Sequence, residues 1–146
     1  AVPMIILAFG LASNAYNSCT IQCGGESINE LPFADYVIHA ASPSSHERFH
    51  KNIPKIERFK TVAMGTYNLL NLSNHYKFKK FLLFSTGAIY SNFSKTAHSE
   101  NSNLYSKTND DFSFYTEAKR TSETMTILFS EMNKFKFNIK KNNFNK

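Results

Sequence analysis

Short apolar runs alternate along this chain with segments of longer period. Met4 to Phe9 is continuous, apolar and ends at Gly10, which predicts a strand buried on both faces of a parallel sheet. Cys19 to Cys23 predicts a weaker strand ahead of the Gly24-Gly25 turn. Asp35 to Ser42, Asp-Tyr-Val-Ile-His-Ala-Ala-Ser, predicts a third strand, stopped at Pro43 because a proline ring cannot donate to a ladder. Lys80 to Thr86 repeats the same design, large apolar residues giving way to small polar ones.

Between these runs the period changes. After Pro54, which suits a helix's first turn, Ile56, Phe59, Ala63, Tyr67 and Leu70 recur at spacings of three and four; this predicts an amphipathic helix ending near Asn74. A second helix is predicted over Tyr115 to Asn133, with Ala118, Met125, Phe129 and Met132 on its apolar face. The polar stretch from Ser91 to Asp111 reads as a long loop, of the kind that forms a lid or meets a substrate. Residues 134–146, rich in lysine, asparagine and phenylalanine, read as a tail with at most a short strand at Phe135 to Ile139. Strands alternating with helices define an α/β class with a parallel sheet. Ligands of such sheets bind beyond the carboxyl ends of the strands, where Ala40 to Ser42 and Ser85 to Gly87 both fall.

Composition narrows the function more than the fold. The formal charge of +6 would suggest nucleic acid, but residues 131–146 hold five lysines and one glutamate, leaving little for residues 1–130. No nucleic-acid role is expected. Two cysteines, Cys19 and Cys23, can build neither a disulfide framework nor a four-ligand zinc site, and fit a reducing, cytoplasmic setting. The opening run is far short of the roughly 20 apolar residues that cross a bilayer, so no membrane anchor is expected. His46-Glu47-Arg48-Phe49-His50 matches the H-E-x-x-H pattern of zinc peptidases. Pro43 and Pro54 confine any helix there to about two turns, and no third ligand is evident; no metal is expected.

Three segments carry a likeness to a known family. They are Asp35 to Ser42, then Phe81-Leu82-Leu83-Phe84-Ser85-Thr86-Gly87-Ala88-Ile89-Tyr90, then Tyr115-Thr116-Glu117-Ala118-Lys119-Arg120, with Gly65 to Leu70 in support. In this order and spacing they resemble the extended short-chain dehydrogenase/reductases, the NAD-dependent nucleotide-sugar epimerases and dehydratases, over roughly residues 30 to 133. A tyrosine four residues before a lysine also occurs at Tyr76 and Lys80, but there a helix end runs into a strand. Only Tyr115 and Lys119 open a helix about thirty residues after a strand ending in Ser85-Thr86.

The resemblance implies a Rossmann-like sheet, NAD or NADP as cofactor and a nucleotide-sugar as substrate. It implies catalytic roles for Thr86, Tyr115 and Lys119, and cofactor contacts from Ala40, Ala41, Ser42, Ser85, Tyr115 and Lys119. Residues four apart on a helix share a face, so the Lys119 ammonium can favour phenolate at Tyr115, whose type otherwise ionises at about pH 10. Tyr115 would take the proton of a sugar hydroxyl while the Thr86 hydroxyl bonds the same oxygen and hydride passes to the nicotinamide. Lys119 would also hold the nicotinamide ribose, and the small Ala40, Ala41 and Ser42 would let the cofactor approach the backbone. A homodimer through the helices at 54–74 and 115–133 is a further implication.

Several positions depart from the pattern. The five glycines form no G-x-x-G-x-x-G or G-x-G-x-x-G, the turn that presents a helix N-terminus to the pyrophosphate. Met4 lies too near His39 to leave room for three strands and a helix, so Met4 to Phe9 reads as the second strand; in the order 3-2-1-4-5-6 a missing first strand leaves a gap in mid-sheet. Val62 stands where an asparagine is usual. Gly87 and Ala88 replace the acidic pair of dehydratases, which favours epimerase- or ketoreductase-like chemistry. The expected division is a partial dinucleotide-binding domain at 1–133 and a tail at 134–146. An inactive remnant or a noncatalytic binding module is the alternative.

Overall fold

In the computed structural model, residues 4–7, 18–20, 34–40, 53–90, 107–109 and 111–142 are described. They form β1 (Met4–Leu7), β2 (Ser18–Thr20), β3 (Tyr36–His39), α1 (Lys55–Tyr76), β4 (Lys80–Thr86), a 3-10 turn (Gly87–Ile89), α2 (Ser113–Asn133) and β5 (Lys136–Asn142). The strands make one five-stranded sheet in the order β2-β1-β3-β4-β5, every pair parallel. The α/β, Rossmann-like class is as expected. The mid-sheet gap is not found: β1 pairs with β2 on one side and directly with β3 on the other, Leu7 opposite His39. Backbone groups facing a gap would lack partners, and closing the sheet satisfies them. Most of the long polar loop (residues 91–106 and 110), the Gly24-Gly25 turn and the His46 to His50 motif lie outside the described residues.

The steps from β3 to β4 and from β4 to β5 move one place in the same direction. With right-handed crossovers this puts α1 and α2 on one face, and the two helices pack together there. Val37, Phe81 and Leu83 point into that layer and meet Leu69, Leu70, Leu72, Phe78 and Phe135 to form the core. A smaller cluster of Val62, Ala63 and Ala118 joins α1 to α2 directly. Alternate residues Leu82 and Phe84 are only partly buried, because both described helices cover the opposite face.

Both helices end alike. Lys77 and Lys134 adopt left-handed backbone, φ 50° and 59°, and each donates its N–H to the serine carbonyl four residues back, Ser73 or Ser130. The next residue, Phe78 or Phe135, is buried, fixing the turn into the following strand. Residues 136–142, read from composition as a tail, are thus the edge strand β5, paired with β4 over its whole length.

The buried faces of the helices also differ from the apolar pattern. Ile56 and Tyr67 of α1 and Met132 of α2 are exposed, while Thr66, Ser73, Ser122, Thr126 and Ser130 are buried. Each of these hydroxyls donates to a carbonyl three or four residues back in its own helix. A hydroxyl satisfied in this way costs little to bury and allows close approach between helices.

Candidate functional site

Parallel strands bring their carboxyl ends to one edge. His39 is level with Leu83, so β4 runs three residues further, through Phe84, Ser85 and Thr86. Small residues suit this projecting end. Ala40 follows β3 directly; Ala41 and Ser42 lie outside the described residues. The Thr86 hydroxyl accepts the Ala88 N–H at 3.2 Å and caps the 3-10 turn.

The beginning of α2 lies beside this edge. Tyr115 sits in the first turn and Lys119 one turn on. The Lys119 side chain is buried, donates from Nζ to the Phe84 carbonyl oxygen at 3.0 Å, and stands 5.9 Å from the centre of the Tyr115 ring. Lys119 is thus brought to both Tyr115 and the end of β4. Burial lowers its pKa to about 8, against an opposing effect of the Glu123 carboxylate. The ammonium has three donors, so one bond to a carbonyl leaves capacity for a ligand hydroxyl. The decoy pair is split as expected, Tyr76 ending α1 and Lys80 opening β4.

Two further groups escaped the sequence reading. Ser85 donates from Oγ to the carboxylate of Glu123, which also lies 3.7 Å from the Lys141 ammonium of β5. Lys141 donates to the Tyr90 hydroxyl at 2.9 Å. The spacing Lys119 to Glu123 was the available signal, since it repeats the one-turn step from Tyr115 to Lys119. The second group is His39, 3% exposed, whose Nε2 lies 2.9 Å from the Thr66 hydroxyl oxygen. Thr66 in turn donates to the Val62 carbonyl and lies 3.0 Å from Ser122 Oγ. With its proton committed to Val62, Thr66 accepts from His39, which places the ring proton on Nε2. Nδ1 then has no partner among the described residues. Burial, aided by the Lys119 charge, lowers the pKa of His39 to about 3.

Such a site can hold a small-molecule ligand at a sheet edge, with a phenol and an ammonium on one helix face. Among the described residues no three histidine, cysteine or carboxylate side chains gather as a metal site, and no helix is long and apolar enough to cross a membrane. Ala40 after β3 and Ser85 and Thr86 at the end of β4, with a buried ammonium having donors to spare, fit the ribose end of a nicotinamide dinucleotide.

The sequence model of the NAD dependent epimerase/dehydratase family matches residues 19–141, and the chain belongs to that family. Among solved structures, it is similar to the UDP-glucose 4-epimerase of Thermotoga maritima with UDP-glucose, at 28% identity and TM-score 0.60 over 73% of this chain and 33% of that one. The UDP-Glc/GlcNAc 4-epimerase of Campylobacter jejuni shares its fold at 24% identity and TM-score 0.60, over 74% and 31%. RMD of Pseudomonas aeruginosa, complexed with NADPH, does so at 14% identity and TM-score 0.65, over 94% and 53%. The chain thus covers about a third of the length of the two epimerases. No curated protein matches it.

Proposed function

We propose that this chain carries the catalytic edge of an NAD(P)-dependent enzyme that oxidises and reduces a nucleotide-sugar, in the manner of an epimerase or ketoreductase. One observation carries the reading: the buried Lys119 ammonium stands between the Tyr115 ring and the end of β4. Tyr115 takes and returns the proton of a sugar hydroxyl, Lys119 stabilises the phenolate and binds ribose, and Thr86 bonds the sugar oxygen. Ala40, Ala41, Ser42 and Ser85 are assigned to cofactor binding, their small side chains allowing close approach to the backbone. The bound nicotinamide would supply the hydride acceptor. Gly87 and Ala88 have no side-chain proton to transfer, which supports epimerisation or reduction over dehydration.

A noncatalytic remnant or binding module of the same fold is the second reading. Both predict weak binding by the 146-residue chain. NAD added to isotope-labelled protein is expected to shift the resonances of Ala40, Ser85, Thr86 and Lys119 with affinity weaker than micromolar. Changes confined to other regions would defeat the site assignment, and micromolar affinity in a calorimetric titration would defeat the remnant reading. The proposal includes a second copy of the chain packed along α1 and α2, supported by the exposed Met64, Tyr67, Leu128 and Met132. Sedimentation equilibrium with a monomer mass at all concentrations would exclude that dimer.

A further inference from the structure

Glu123 stands at the junction of three elements. From α2 its carboxylate accepts the Ser85 hydroxyl at the projecting end of β4 and pairs with Lys141 on the edge strand β5. Glu123 and Lys141 are 13% and 18% exposed, so neither charge is well hydrated, and a carboxylate placed there needs both a donor and a cation. Lys141 is itself held, its ammonium 4.9 Å from the Tyr90 ring centre and bonded to the Tyr90 hydroxyl. One helical turn before Glu123, on the same face, is Lys119.

We propose that Glu123 is a positioning residue: tied to Ser85 and Lys141, it fixes the end of β4 against α2 and sets the charge of the Lys119 ammonium without touching substrate. The role is called positioning because it rests on the reading of Lys119 as the partner of the Tyr115 phenol. Among the described residues, the titratable groups facing Lys119 are His39 from β3 and Tyr115 and Glu123 from its own helix; Lys141 faces Glu123 from β5. His39 is held neutral by burial, so it does not compensate for a change at Glu123. Burial alone drives Lys119 toward its neutral amine, and the carboxylate opposes this. Lys141, paired with the same carboxylate at 3.7 Å, is a cation whose charge opposes that of the carboxylate at any nearby group. A Glu123→Gln variant keeps an acceptor for Ser85 and removes the charge, whereas a Lys141→Met variant keeps the carboxylate and removes the competing cation.

The test follows the Lys119 amine by NMR in the full 146-residue chain labelled at lysine, its signal identified by its loss in Lys119→Arg. The wild-type midpoint is expected near 8. It should move down in Glu123→Gln and up in Lys141→Met. A structural role, loosening the site in either variant, would move both the same way. Midpoints that shift together, or that do not shift, overturn the proposal. Far-UV circular dichroism reports which variants fold; if one does not, the sign of the shift in the other decides. No nicotinamide or sugar is present, so the outcome does not depend on activity. Should the signs come out as stated while Lys119→Met leaves the NAD-induced shifts unchanged, Glu123 keeps its control of the Lys119 charge and the cofactor assignment falls.

Discussion

Acidification should weaken this fold through one side chain, His39. Its imidazole is buried between β3, α1 and the Phe81 ring, bonds Thr66, and has a pKa near 3 where an unperturbed histidine has 6.5. Below pH 6.5 the unfolded chain therefore binds a proton that the folded chain refuses. Stability must rise with pH across this window, at about 1.4 kcal/mol per unit for one proton. It is fully present above the unfolded pKa and is lost as pH falls toward the folded one. From neutral pH to about pH 5, some 1.5 units below the unfolded pKa, the loss is about 2 kcal/mol, a large part of the stability of a small domain. Urea unfolding followed by far-UV circular dichroism near pH 7.5, 6 and 5 measures it. His39→Gln keeps an amide donor toward Thr66 and removes the titration, so the variant, whatever its stability at neutral pH, should lose less on acidification. Equal losses in the two proteins would refute the buried, neutral assignment of His39.

Other perturbations test the packing. Leu69→Ala removes a fully buried side chain of the main core and should cost about 2–5 kcal/mol in urea titration; a cost below about 1 kcal/mol would show that α1 does not seat there. Thr66→Val keeps the shape but leaves the His39 N–H without its acceptor, for a loss of about 1–3 kcal/mol, whereas Thr66→Ser should retain most of the stability. Gly65 lies inside α1 with open space where a Cβ would stand, so Gly65→Ala should stabilise by about 0.5–1 kcal/mol. A lower melting temperature in that variant would mean that another molecule or segment approaches α1 at this point.

The sequence made the alternation of strands and helices legible because each strand is a short run with its own stop: Pro43 after the third, Gly87 after the fourth. The parallel sheet followed. The buried helix faces were legible in part: Ala63, Leu70 and Ala118 are buried as the period selects. Apolar periodicity selected Ile56, Tyr67 and Met132, but the structure buries Thr66, Ser122 and Thr126, whose hydroxyls bond their own backbone and so behave as small apolar groups. Tyr115, Lys119, Ser85 and Thr86 were selected as candidates through motif order, and the first two share one face of α2. Glu123 and His39 were passed over for opposite reasons. A carboxylate on a helix reads as a solvated face unless its partners on β4 and β5 are known, and a histidine within a strand reads as one more residue of the run. Within residues 134–146 a short strand was legible at Phe135 to Ile139, and the structure extends it to Asn142, with Phe135 and Ile139 packed in the core; lysine and asparagine content hid that extension.

The matched lysine turns after α1 and α2 set a common starting line for β4 and β5, with Lys80 opposite Lys136. How far each strand reaches over the edge is then a matter of residue count. Removing a single residue between Lys77 and Lys80 while the turn held would retract the tip of β4 by one step and invert its sides. Ser85 would turn from Glu123 and another residue would take its seat, so the spacing of a short linker at the far end of the sheet determines which hydroxyl faces α2.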